Sequence, residues 1–97
     1  MKQRKYDKIA DEIYDEIMDA QKYAKCAMKA KMDDRPLSET YHNLSKQEMN
    51  HAHMLIEHMP KVVMMDESLK PIWERDYDRM IDWISDVKIL IDHYTEM

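Results

Sequence analysis

The chain has 97 residues, 36% of them charged, with a formal net charge of −5 and no glycine. A length like this holds one domain with a modest core, which favours oligomerisation. The acidic balance argues against a general nucleic-acid role, which needs a basic surface, and the missing glycines argue against a β-rich fold, whose tight turns favour them.

What remains is an all-α chain, and the abundance of alanine, methionine, lysine and glutamate agrees with that. No apolar run is long enough to span a bilayer, so no membrane role is expected. The stretch Ile9 to Met18 is broken by Asp11, Glu12, Asp15 and Glu16, which rules it out as a signal-peptide core. Cys26 is the single cysteine, so no internal disulfide forms and a cytoplasmic setting is expected. It lies off the apolar stripe and, with no activating basic or imidazole neighbour recognised, is given no catalytic role. The eleven methionines read as fillers of irregular helical cores.

The first helix is expected over about 6–32, opening on a basic cluster of Lys2, Arg4, Lys5 and Lys8. Its apolar stripe is Tyr6, Ile9, Ile13, Ile17, Ala20, Ala24 and Ala27, in steps of three and four. Asp33-Asp34-Arg35-Pro36 ends it. The second helix is expected over about 38–59, with Ser38 as N-cap, Glu39 in the first turn, and Pro60 ending or kinking it. Its stripe is Tyr41, Leu44, Ala52, Leu55 and Met59. Lys61 to Lys70 is a connector whose Val62-Val63-Met64-Met65 docks onto the core. A third helix is expected over about 68–97, with the stripe Trp73, Tyr77, Met80, Ile84, Val87, Ile91 and Tyr94, widened by Trp83 and Leu90. Helices 1 and 2 form an antiparallel hairpin.

Glu48 falls at the centre of the second stripe, whose residues all lie within roughly 40° of one direction at 100° per residue, and His51 lies one turn on, roughly 60° off and still facing inward. On helix 1, Glu16 sits at the stripe edge beside Ile13, Ile17 and Ala20. Burying such charges costs several kcal/mol unless something compensates them. A metal ion does so: Glu and His at i and i+3 converge on one ion, and carboxylate oxygen with imidazole nitrogen suits iron, manganese or zinc. Tyr23, one to two turns after Glu16, is placed to donate a hydrogen bond to a ligand carboxylate or to pack as a half-buried aromatic. His42, His53 and His58 read as surface residues, and Glu74, Asp78, Asp82 and Asp86 as a solvated ridge.

Glu16-Ile17-Met18-Asp19-Ala20-Gln21-Lys22-Tyr23-Ala24 resembles the first-helix pattern of rubrerythrins and related ferritin-like proteins, in which a ligand Glu is followed seven residues later by an aromatic. Glu48-Met49-Asn50-His51-Ala52 resembles their second-helix Glu-x-x-His-Ala, and the gap of 32 residues between the two glutamates fits such hairpins. The resemblance covers about residues 12 to 59. At this length it is similar to the two-helix, half-ferritin types, including the encapsulated ferritins. It implies a four-helix bundle completed by a homodimer or higher even oligomer, and two irons per dimer site. Glu16, Glu48 and His51 would be ligands, and the chemistry ferroxidase or peroxide oxidation. The chain departs from rubrerythrin in lacking a second hairpin and a rubredoxin-like cysteine cluster. An encapsulating shell is a further implied partner, but no docking tail is seen after helix 3. The other expectation is a metal-free helical dimerisation or interaction protein with a degenerate core of the same kind.

Overall fold

The computed structural model describes residues 4–96. Three long helices, α1 (Lys5–Ala30), α2 (Arg35–Met64) and α3 (Lys70–Glu96), account for nearly all of them, with a single 3₁₀ turn at Glu67–Leu69. Met97 and Lys2, which the sequence reading places in helix 3 and in the basic cluster, lie outside the described residues.

The α1 stripe forms as its spacing dictates. Tyr6, Ile13, Ile17, Ala20, Ala24 and Ala27 are buried, with Ala10 in the same seam, while Ile9 packs at its edge. Small residues dominate the turn end of this seam, and α2 answers with its own small residues, Ser38, Ser45 and Ala52, all fully buried. Small side chains on both faces let the two helix axes approach closely.

Residues 31–34 reverse the chain. Asp33 and Asp34 donate their backbone N–H groups to the Ala30 carbonyl at 3.1 and 2.8 Å, closing the end of α1. The N-cap of α2 is Asp34, whose carboxylate accepts from the Leu37 N–H at 3.1 Å, and not Ser38. Pro36 falls in the first helical turn, where its missing N–H has no partner to lose, so it starts α2 as well as following α1. Ser38 sits one turn further in. Its hydroxyl donates to the Ala27 carbonyl at 2.6 Å and meets the Tyr94 hydroxyl at 3.0 Å.

Pro60 does not end α2, which runs on to Met64. The cost of one missing backbone bond is offset because Val62 and Val63, beyond the proline, are buried in the core with Leu69. Residues 61–64 of the expected connector therefore belong to α2, and Asp66 caps the short turn that follows by accepting from the Ser68 N–H and hydroxyl.

The buried face of α2 is also rotated from the expected one. Its seam is Ser38, His42, Ser45, Met49, Ala52, Ile56, Met59 and Val63, whereas Tyr41, Leu44 and Leu55 are half-buried. His42, expected at the surface, is buried. On α3, Met80, Ile84, Val87, Ile91 and Tyr94 are buried as expected, Trp73 is half-buried, and Tyr77 is exposed, its ring set edge-on to Trp73.

α3 runs parallel to α1 along one flank of the hairpin. Tyr6 meets Asp76 at one end, Gln21 meets Trp83 in the middle, and Lys31 meets Tyr94 at the other end. Among the described residues the contacts of α3 with Tyr6, Tyr14 and Gln21 lie on one flank of the hairpin, and they leave the opposite flank bare. Among the described residues no helix is long and apolar enough to cross a membrane.

Candidate metal centre

The covered flank is a set of satisfied contacts. Tyr6 and Tyr14 both donate hydroxyls to Asp76, at 2.6 and 3.4 Å, one to each carboxylate oxygen. Burial, then the bond to Asp76, pushes the Tyr6 hydroxyl well above the usual range, and burial also raises Tyr14. Trp83 donates its indole N–H to Gln21 at 3.2 Å and packs against Tyr14, ring centres 6.3 Å apart.

Glu16 and Tyr23 lie about 160° around α1 from Tyr14 and Gln21, at 100° per residue. Their side of the hairpin is the bare one. Here the structure brings Glu16, Glu48 and His51 together, each offering a ligand atom, and the three atoms lie within 4.8 Å of one another. His51 Nδ1 stands 3.4 Å from Glu16 Oε2 and 3.9 Å from Glu48 Oε1. The two carboxylates are sheltered, with side chains 27% and 19% exposed, while the imidazole is 54% exposed and forms the outer lip of the site. The expectation that His51 faces inward is corrected by that figure. The rotation of the α2 seam carries Glu48 from the expected centre of the stripe to its flank, and His51, expected one turn on and still inward, out to the lip.

Two features show electrostatic tension. Glu16 Oε2 is buried and has no hydrogen-bond partner, although buried carboxylate oxygens are ordinarily bonded. The Glu48 carboxyl is held above its ordinary range, first by sharing a hydrogen bond with Glu16, then by burial and by the Glu16 charge, with His51 pulling the other way. Two like charges in one sheltered place disfavour each other until a proton or a cation intervenes.

The donor set suits a transition metal. A single ion with bonds of about 2.1 Å holds its donors no more than about 4.2 Å apart. Separations of up to 4.8 Å close to that with a small side-chain rotation, or they span two ions sharing carboxylates. Three donors leave coordination positions open on any metal preferring four to six ligands.

Tyr23 stacks on Tyr41, with ring centres 6.1 Å apart and planes at 21°. Among the described residues its hydroxyl makes no hydrogen bond to Glu16, so it acts here as a packing aromatic beside the site. Tyr41 was read as core, and its role as the ring under Tyr23 was not anticipated. His53 and His58 are exposed, as are Glu74, Asp78, Asp82 and Asp86. The surroundings of Cys26 differ from expectation. It is half-buried in a shallow depression with Lys22, Lys25 and Lys29, and Lys22 and Lys29 stand at helical spacing from it. That signal was present in the sequence.

Comparison with protein-family models, curated proteins and solved structures finds no match to this chain.

Proposed function

We propose that the chain binds a transition metal through Glu16, Glu48 and His51, and that a second copy docks on the bare flank to complete the site. The observation that carries this reading is the buried Glu16 Oε2, which has no hydrogen-bond partner and faces a second carboxylate and an imidazole. A cation there satisfies that oxygen, relieves the repulsion between the carboxylates, and takes a nitrogen ligand from His51.

A second copy related by a two-fold axis brings the same three groups to the interface. Four glutamates and two histidines are the set that holds two metal ions in ferritin-like bundles. The half-buried Tyr23, Tyr41, Leu44 and Leu55 supply apolar area around it. In this reading the chain is half of a ferritin-like four-helix bundle, with α3 as an outer brace. Two irons held there would each give up one electron, together the two that reduce oxygen to peroxide or peroxide to water. The residues of the chain hold the ions, and Glu16 and Glu48 are the groups able to bridge them. His51, at the lip, is the ligand nearest solvent.

The second reading is a metal-free helical dimer. The 3.4 Å approach of His51 to Glu16 favours it, because a protonated imidazole would neutralise part of the same charge without an ion.

Light scattering combined with metal analysis of the purified protein separates the two. The proposal expects a mass of twice 11.8 kDa, or a higher even multiple, and about one ion per chain. A monomer at micromolar concentration overturns the shared site, and a metal-free dimer that takes up no Fe(II), Mn(II) or Zn(II) supports the second reading. Oxygen consumption on adding Fe(II) then tests turnover.

A further inference from the structure

The turn end of the bundle, remote from the carboxylates, carries a different construction. His42 is 8% exposed and lies face-on to the Tyr94 ring, centres 4.2 Å apart and planes at 21°. Its Nδ1 is buried without a hydrogen-bond partner. Tyr94 is the last buried residue of α3, and it is held from three sides. Its hydroxyl meets Ser38, its ring stacks on His42, and Lys31 reaches both its ring face, at 4.4 Å, and its carbonyl oxygen.

We propose that this end is an acid-released latch. With His42 neutral, the C-terminal turn of α3 is seated on the hairpin, and protonation of the imidazole unseats it.

The chemistry follows from what surrounds the ring. A neutral imidazole has one nitrogen with a lone pair and one with a proton, so an unpartnered Nδ1 is tolerable as the lone-pair nitrogen. Protonation puts an N–H there with no acceptor, and a charge in a sheltered place. Lys46, one turn along α2, and Lys31, at the end of α1, both repel that charge. From α3, Asp92 attracts it, but Asp92 is bonded to Lys88 at 2.8 Å. Tyr94 already carries the Lys31 cation over its ring. His93, also on α3, is exposed and pairs with Glu96 at 3.6 Å, away from the stack. Burial first, then Lys46 and Lys31, pushes His42 below its ordinary value against the pull of Asp92.

The direction of the effect is fixed by linkage. The seated form binds the proton less readily than the opened form, whose imidazole titrates near 6.5. Above that pH both are neutral and the latch holds at full strength. As the pH falls below 6.5 the opened form takes up the proton first, and seating weakens until the seated form titrates too. Opening one terminal turn costs far less than unfolding the bundle, so the response is local.

Hydrogen exchange of the 91–96 amides, corrected for intrinsic rates, tests this between pH 7.5 and 5. The opening constant of that segment is expected to rise severalfold in the wild-type chain. His42→Phe keeps an aromatic ring on Tyr94 and cannot be protonated, so its opening should not change with pH. His93→Gln should rise as the wild type does. NMR titration of the wild-type His42 ring gives a second reading that needs no variant, with a midpoint expected below 6.5. A wild-type segment that does not respond, an equal rise in His42→Phe, or a His42 midpoint above 6.5 overturns the proposal.

Discussion

Asp76 and Glu16 make an instructive pair. Both are half-buried carboxylates set against the α1–α2 hairpin, one from α3 and one from α1 itself. Asp76 receives a tyrosine hydroxyl on each oxygen, so its charge is answered within the chain. Glu16 faces another carboxylate, and its buried Oε2 accepts no hydrogen bond, only the approach of the exposed His51 ring at 3.4 Å. The first arrangement is a finished joint between helices. The second is tense in isolation and gains by admitting a cation. The same hairpin thus has one flank closed by its own third helix and one on which two carboxylates and an imidazole meet.

The largest effect that would break this contrast is at Glu48. Glu48→Leu should lower metal content from about one ion per chain to nearly none and abolish iron oxidation. The metal-free variant should be as stable as wild type or more so, since an apolar group replaces a half of the repelling pair. His51→Ala should lower occupancy less, because that imidazole is more than half exposed. Full metal content and wild-type iron oxidation in Glu48→Leu would show that the bare flank is not a metal site at all.

Breaking the closed flank has a different signature. Asp76→Ala leaves the Tyr6 hydroxyl, in a residue 2% exposed, without its acceptor, and should destabilise the fold by about 1–3 kcal/mol in urea titration. Tyr6→Phe should cost about 0.5–1.5 kcal/mol, since one partner of the bond goes and Asp76 keeps Tyr14. Neither should alter metal content. Losses below about 0.5 kcal/mol in both would mean that the joint contributes little.

A smaller effect sharpens the comparison through pH. The Glu48 carboxyl is raised from 4.5, so the folded metal-free protein holds its proton more tightly than the unfolded chain. Its contribution to stability is full below 4.5 and is lost as the pH rises through the raised folded value. Chelated wild type should therefore lose stability on going upward through that window, and Glu48→Gln should lack this component. Metal uptake should strengthen over the same range, because the ion competes with the proton. The smallest expectation is a control: His53→Ala, on an exposed part of α2, should leave both metal content and stability unchanged.

The α1 and α3 seams were readable because apolar residues supply nearly all of their buried positions. Tyr6, Ile13 and Ile17 on one and Met80, Ile84, Val87 and Ile91 on the other leave only one face to bury. On α2 the apolar residues misled. Tyr41, Leu44 and Leu55 outweigh Ser38, His42 and Ser45 on any hydrophobic count, yet Ser38 and Ser45 are buried because close helix approach rewards small size and their hydroxyls find local partners, and His42 is buried because its ring stacks on Tyr94. The site residues nevertheless came together, since Glu16, Glu48 and His51 depend on helical spacing and hairpin register more than on which face is innermost. Tyr41 beneath Tyr23 and the Tyr6–Asp76 pair were hidden for another reason: pairing across helices is set by tertiary docking, which a single-helix count does not contain.

Both chain reversals use residues of ordinary backbone conformation. No described residue has a positive φ, and aspartates at 34 and 66 cap the segments that follow. The consequence lies in the denatured chain. A sequence without glycine samples fewer backbone states when unfolded, each Gly→Ala difference being worth about 0.4–1 kcal/mol where the native conformation allows it. Less disorder has to be given up to reach the helical hairpin, which favours the fold before anything covers its second flank.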